Sequence, residues 1–206
     1  MVSTPTTDIS PGDYVPTADG RVVLHGLNWA AFQTLLALRG ETAQPRMAYL
    51  DGAVELLMTS RGHENVKSKI GCLLESYCLD RDIPLTPYGN WLLDDESEEA
   101  GAEPDECYIF GPDPKSKALP DLVIEVQWTR GGLNKREIYR RLGIGEVWFW
   151  KRDVLGVYVL GAGGEYEERA GSTWVPDLDL ALLCRFAVVD PLNEAVKQLR
   201  DALGQV

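Results

Sequence analysis

Histidine is scarce in this chain: His25 and His63 are the only two in 206 residues. The four cysteines, Cys72, Cys78, Cys107 and Cys184, are scattered and form no CxxC pair. A zinc centre needs closely spaced ligands of these types, so none is expected. Scattered thiols fit a reducing cytoplasm, where they act as small core residues. No apolar run approaches the length of a bilayer span, which argues against a membrane protein. Met1 to Gly20 is rich in Thr, Pro, Asp and Gly, with no basic segment and no apolar segment, so it does not read as a signal peptide. A GxSxG elbow, a P-loop and a dinucleotide-type glycine turn are also missing, which removes the commonest enzyme classes. Positive charge is in short supply too. Twenty Lys and Arg face 32 Asp and Glu, for a net charge of −12. That balance opposes binding to nucleic acid, whose phosphates call for Lys and Arg.

What is present is ordinary globular material: 45% apolar and 25% charged residues, enough for a real core. The length suits a single domain over residues 25–206 behind a loose arm at 1–24. Asn28 and Gly40 read as the caps of a short helix bearing Trp29, Phe32, Leu35 and Leu36. Met47–Leu50 and Val54–Met58 read as a hairpin turning at Asp51-Gly52. Val66, Ile70, Leu73, Leu74 and Tyr77 mark one face of a long helix from about Gly62 to Arg81, capped by Ser60 or Thr59. Leu85 to Leu93 is strand-like with Gly89 interrupting it, and an acidic exposed loop follows. Strands are expected near Cys107 and Leu122, then a helix from Leu133 to Leu142. Glu146–Trp150 and Val154–Leu160 read as strands around a turn at Arg152-Asp153, with Tyr166–Arg169 as an extension. A last helix spans Val188 to Leu203, with Asp190 at its cap and Pro191 in its first turn. The fold class is α/β or α+β, with a mixed sheet and marginal hairpins.

The most telling stretch is Pro120-Asp121-Leu122-Val123-Ile124-Glu125-Val126-Gln127. Leu122 to Val126 is apolar and mostly β-branched apart from one glutamate, the pattern of a strand covered on both faces. A carboxylate placed there has a charge to hold, and a metal ion is the leading candidate. Asp121 and Glu125 are roughly 13 Å apart along an extended strand, too far to share one ion with ligands at about 2.1 Å. Glu125 and Gln127 are only about 6.7 Å apart and can flank one. A second carboxylate must then come from a neighbouring strand about 4.8 Å away. Asp105, in Pro104-Asp105 ahead of Cys107-Tyr108-Ile109-Phe110, is the candidate. Both aspartates also have a plainer use as turn caps beside their prolines, and for Asp121 that use is the better one.

These residues form an ordered set: Tyr49-Leu50-Asp51-Gly52 with Glu55, His63-Glu64, Glu103 to Glu106, Pro120 to Val126, Asn134-Lys135 with Ile138-Tyr139, and Leu142 to Trp148. From about Arg46 to Leu160 the chain resembles the Uma-two family of restriction endonuclease-like proteins, within the PD-(D/E)XK nuclease superfamily. The resemblance implies a restriction-endonuclease-like core, a central mixed sheet flanked by helices, that cuts nucleic acid with Mg²⁺ or, in its place, Mn²⁺. It assigns Asp105 and Glu125 to the metal. Gln127 takes the position of the superfamily's lysine, Lys135 matches a recurrent lysine opening the next helix, and Glu64 matches a glutamate on the first core helix. Glu64 has a structural use as well, as an acid in the first turn of its helix.

The implied partner is nucleic acid, with DNA foremost, and a homodimer, because two strands need two sites. Leu180 to Phe186 offers an apolar surface for that dimer. The basic residues Lys115, Lys117, Arg130, Lys135, Arg136, Arg140, Arg141, Lys151 and Arg152 bracket the acidic strand and could line a groove despite the net charge; a solvated helix face explains them equally well. The alternatives are a catalytically weak or inactive nuclease-fold module, since glutamine carries no charge, and an unrelated α+β domain whose Pro-Asp pairs are turn chemistry.

Overall fold

The computed structural model describes residues 18–128 and 131–204. It begins with β1 (Gly20–His25), α1 (Trp29–Arg39), β2 (Arg46–Leu50), β3 (Ala53–Met58) and α2 (Arg61–Asp80). Next come β4 (Leu85–Pro87), β5 (Leu93–Asp95), β6 (Ala100–Ala102), β7 (Glu106–Phe110) and β8 (Leu122–Val126). The chain continues through α3 (Lys135–Arg141), β9 (Glu146–Lys151), β10 (Val154–Leu160), β11 (Tyr166–Arg169), α4 (Leu180–Ala187) and α5 (Leu192–Ala202). The strands form two sheets, one ordered β1-β3-β2-β6-β5 and the other β11-β10-β9-β8-β7-β4. No helix among the described residues is long and apolar enough to cross a membrane.

The second sheet carries the core. β8 and β9 run parallel and are joined through α3, while β4, β7 and β8 form an antiparallel meander. All five residues of β8 are buried. One of its faces packs Leu122, Ile124 and Val126 with Trp148 and Trp150 against Ile70, Leu73, Leu74 and Tyr77 of α2. The other packs Val123 with Val147 and Phe149 against Ile138 and Tyr139 of α3. At about 1.5–3 kcal/mol for each large side chain withdrawn from water, these two layers fix β8 between helices. The strand is therefore apolar on both faces, and Trp148 and Trp150 are core residues.

Local signals explain the elements. Asn28 accepts a hydrogen bond from the Ala31 N–H and caps α1; Ser60 accepts from the His63 N–H and caps α2. At the β2–β3 turn Asp51 and Gly52 both have positive φ, 47° and 80°, the backbone a tight hairpin requires. Trp29, Phe32 and Tyr49 form an aromatic cluster with ring centroids 5.3 Å apart, Phe32 stacked on Tyr49 and Trp29 edge-on to Tyr49, seating α1 on the first sheet.

Several expectations need correction. The arm expected at 1–24 is strand in its last part: Gly20–His25 pairs antiparallel with Met58–Ala53; residues 1–17 lie outside the described residues. The strand-like run from Leu85 to Leu93 is split. β4 joins the second sheet and β5 the first, with Gly89 at φ 61° between them. The acidic loop is a hairpin, with Asp94 and Asp95 on β5 paired to β6 and a turn at Glu96 to Glu99. The last helix, expected from Val188, begins only at Leu192 with Pro191 as its cap, because proline supplies no N–H and disfavours helix in the residue before it; α4, which was not expected, precedes it. Leu180 to Phe186 is not an apolar surface: it is α4, with Leu183 and Phe186 buried against α2 and α5.

Candidate active site

Two carboxylates, Asp105 and Glu125, come from neighbouring strand segments. The β7–β8 ladder pairs Tyr108 with Leu122, Cys107 with Val123 and Glu106 with Ile124. One further step sets Asp105, just ahead of β7, opposite Glu125. Asp105 is 1% exposed and Glu125 6%. An isolated ion at such depth would cost several kcal/mol, so each must have partners.

α3 supplies Glu125 with partners. Tyr139 donates its hydroxyl to Glu125 Oε1, and Lys135 Nζ lies 3.3 Å from the same oxygen. Lys135 and Tyr139 are four residues apart, so they share one face of the helix. Burial, and then the Glu125 charge, push the Tyr139 phenol well above its ordinary range, so it stays a donor. Glu125 and Lys135 line a cleft of about 200 Å³ together with Arg21, Glu55, Gln127, Trp128, Lys151 and Arg152. Arg21 and Glu55 come from the first sheet, so the cleft lies between the sheets. Glu55 accepts from the Leu133 N–H at 2.8 Å and pairs with Arg21 at 3.4 Å, which holds the segment before α3 against β3.

Asp105 belongs to a different network. Oδ2 accepts from the Val126 N–H at 2.6 Å. Oδ1 meets an Arg46 guanidinium N–H and His63 Nε2, the latter at 2.9 Å. The other side of the imidazole, Nδ1, is 3.1 Å from Asp19, whose second oxygen accepts from the Ser60 N–H at 2.8 Å. Burial raises the Asp19 carboxyl, but the bonds from His63 and Ser60 outweigh it and hold it below its usual range. Arg46 also reaches Glu64 at 3.0 Å, and Glu64 is further bonded by Thr59 and Lys67. Burial raises Glu64 as well; those donors and the Arg46 charge bring it below the ordinary value.

Of the residues singled out in the sequence, Glu125, Gln127 and Lys135 meet at one cleft. Asp105 and Glu64 are joined through Arg46. Gln127 is exposed, and its backbone N–H donates to Trp150 O at 2.8 Å, continuing the β8–β9 pairing. Asp121 takes its plainer role: it accepts from the Phe110 N–H and pairs with Lys117 at 2.6 Å. Among the described residues no group of three or more His, Cys, Asp and Glu gathers as an ion site.

The basic set divides. Arg140 and Arg141 are committed to Glu137, and Arg141 also to both oxygens of Asp51 at 2.7 Å. Lys151 and Arg152 line the cleft, and Arg136 lines an adjoining groove above the Tyr158 ring. Arg130 lies outside the described residues. Sequence reasoning gave no site role to Arg21, Arg46, His63 or Tyr139. His63 and Tyr139 stood in the ordered set, and Tyr139 also showed its spacing of four from Lys135.

A family profile described as Uma2, putative restriction endonuclease, matches residues 29–189. A crystal structure of a putative nuclease belonging to DUF820 from Anabaena variabilis aligns with 79% of this chain and 96% of its own, at 14% identity and a TM-score of 0.48. No curated protein matches the sequence. With the match covering far more than half the chain, the protein belongs to the Uma2 family of putative restriction endonucleases.

Proposed function

We propose that this protein is a metal-dependent nuclease that hydrolyses phosphodiester bonds, with DNA as its substrate. The observation that carries this reading is the Glu125–Lys135 pair in a cleft rimmed by Arg21, Lys151 and Arg152. A buried carboxylate beside an ammonium, with further cations at the mouth, is an arrangement that receives a phosphate. The local charge also answers the net −12 of the chain, because a basic cleft can exist on an acidic protein.

The donor chemistry suits a hard divalent cation. Asp105 and Glu125 offer carboxylate oxygens on adjacent strands, and Mg²⁺ is commonly bound through one or two carboxylates with water and substrate phosphate completing the set. Asp105 and Glu125 would hold the ion, which when bound lowers the pKa of a coordinated water and neutralises charge on the phosphate. The rest of the work falls to the chain. Lys135 counters the charge developing on the phosphate oxygens, in place of the lysine absent at position 127. Tyr139, donating its hydroxyl to Glu125, keeps that carboxylate oriented. Gln127, at the cleft wall, orients water. Arg21, Lys151 and Arg152 position the substrate backbone.

A second reading, a catalytically weak or inactive binding module, draws on one observation: both oxygens of Asp105 are engaged by Val126, His63 and Arg46, and Asp105 does not line the cleft. Incubating the purified protein with supercoiled plasmid separates the two. Nicking that needs Mg²⁺ or Mn²⁺ and disappears in Glu125→Ala supports the nuclease. Plasmid left intact with both metals, by a protein that still binds DNA, establishes the module.

A further inference from the structure

We propose that His63 and Asp19 are positioning residues for Asp105, forming a buried chain that fixes this carboxylate in the orientation its ion requires. The inference rests on the nuclease reading above and extends it to two residues outside the cleft.

The side chains of Asp19 and His63 are fully enclosed, and Asp105 is nearly so. A buried histidine is an expensive way to fill space. Here each ring nitrogen faces a carboxylate, at 3.1 Å and 2.9 Å, so the ring can adopt one orientation only. The two ends of the chain differ in kind. Asp19 stands just before β1 and also accepts from the Ser60 N–H, so it is tied to the cap of α2. Asp105 stands just before β7 and accepts from the Val126 N–H of β8. His63, in the first turn of α2, therefore links the start of β1 to the strand pair bearing both acids. A ligating carboxylate depends on such outer partners for its aim, and their loss typically costs ten- to a hundredfold in metal affinity.

Arg46 shares the same Asp105 oxygen but cannot do this job alone. Arg46 has a second partner in Glu64, 3.0 Å away, to which it can yield. The group that remains on Oδ1 is His63, with Asp19 behind it. On this account the strand β1 is part of the active site, through Arg21 at the cleft and through Asp19 at the far end of the chain.

The test is Mn²⁺ affinity of the folded full-length protein, read from the free-ion electron paramagnetic resonance signal, with a thermal melt of each variant. Asp105→Asn should abolish saturable binding. Asp19→Asn, which keeps shape and perturbs no apolar packing, should weaken binding about tenfold. His63→Leu should weaken it at least as much, and His63→Gln, which retains an N–H donor, should recover most of the loss. If Asp19→Asn and His63→Leu melt lower yet bind Mn²⁺ as tightly as the unaltered protein, the chain is structural only and the inference is overturned. If the unaltered protein itself shows no saturable Mn²⁺ binding, the nuclease reading fails first and takes this inference with it.

Discussion

Lys135 Nζ lies 3.3 Å from Glu125 Oε1. β8 ends in Val126 and is followed by an uncharged Gln127, so the strand delivers no cation to its own glutamate. The helix after it does so instead, from its first residue, with Asn134 capping the helix by accepting from the Glu137 N–H. Lys135→Ala should leave the fold intact and reduce metal-dependent cleavage by about 10²–10³, the usual loss when a preorganised donor to a developing negative charge is removed. Gln127→Ala should cost less, because its side chain brings no charge. Steady-state plasmid cleavage by both variants checks this; equal losses would mean that Lys135 has no role at the phosphate.

Tyr139→Phe removes a hydroxyl and nothing else. Glu125 then keeps Lys135 but loses a donor in a buried place. The expected loss of stability is about 1–3 kcal/mol, the penalty for an under-satisfied buried acceptor. For a chain of this size that corresponds to a fall in Tm of roughly 2–4 °C per kcal/mol. The substituted ring still fills its slot among Ile138, Val123 and Val147. Urea denaturation with an unchanged m-value and a lower midpoint would agree; an unchanged midpoint would mean water replaces the hydroxyl at no cost.

Acid should act partly through Glu137. Bonds from Arg140 and Arg141 bring its carboxyl down from the usual 4.5 to about 2. A depressed folded-state pKa contributes stability above the unfolded value and loses it as pH falls through the folded one. The stability difference between the unaltered protein and Glu137→Gln should therefore be constant above about pH 4.5 and shrink steadily toward pH 2. Glu75 and Glu106 have the opposite sign, since burial raises both, so the comparison must be made against the variant and not read from the total curve. Denaturant titrations of both proteins at a series of pH values decide it.

Much of this was legible in the sequence. A continuous apolar, β-branched run announced β8 as a doubly covered strand, and Asn28, Ser60 and Asp51-Gly52 announced their caps and turn through local hydrogen-bonding chemistry. Lys135 was placed by resemblance, and the helix geometry brings it to Glu125. What the sequence withheld was long-range. Nothing local says that Arg46, on the β2–β3 hairpin, will meet Asp105, or that a first-turn histidine will be clamped between Asp19 and Asp105. Those contacts depend on how two sheets face each other, which no periodicity encodes. The acidic stretch around Asp94 misled for a related reason: charge suggested an exposed loop, while pairing with Ala100–Ala102 made a hairpin.

The cysteines offer a probe of the site's rigidity. All four are free. Burial pushes the Cys78 thiol up to about 11 and Cys107 up to about 12, and raises Cys184 as well. Thiolate is the reactive form, so these three should be inert at pH 8 while the protein is folded. Cys72, only partly buried, should react with an aromatic disulfide reagent as a single fast equivalent. The rest should appear after denaturation, or slowly through opening of the structure. Cys107 pairs with Val123 in the β7–β8 ladder, between the strands that lead to Asp105 and Glu125. An ion joining those two strands should slow labelling of Cys107 more than that of Cys184, which lies on α4 away from them. Mass spectrometry of peptides labelled with and without Mn²⁺ reads both rates, and equal protection of the two cysteines would show that the ion does not act between β7 and β8.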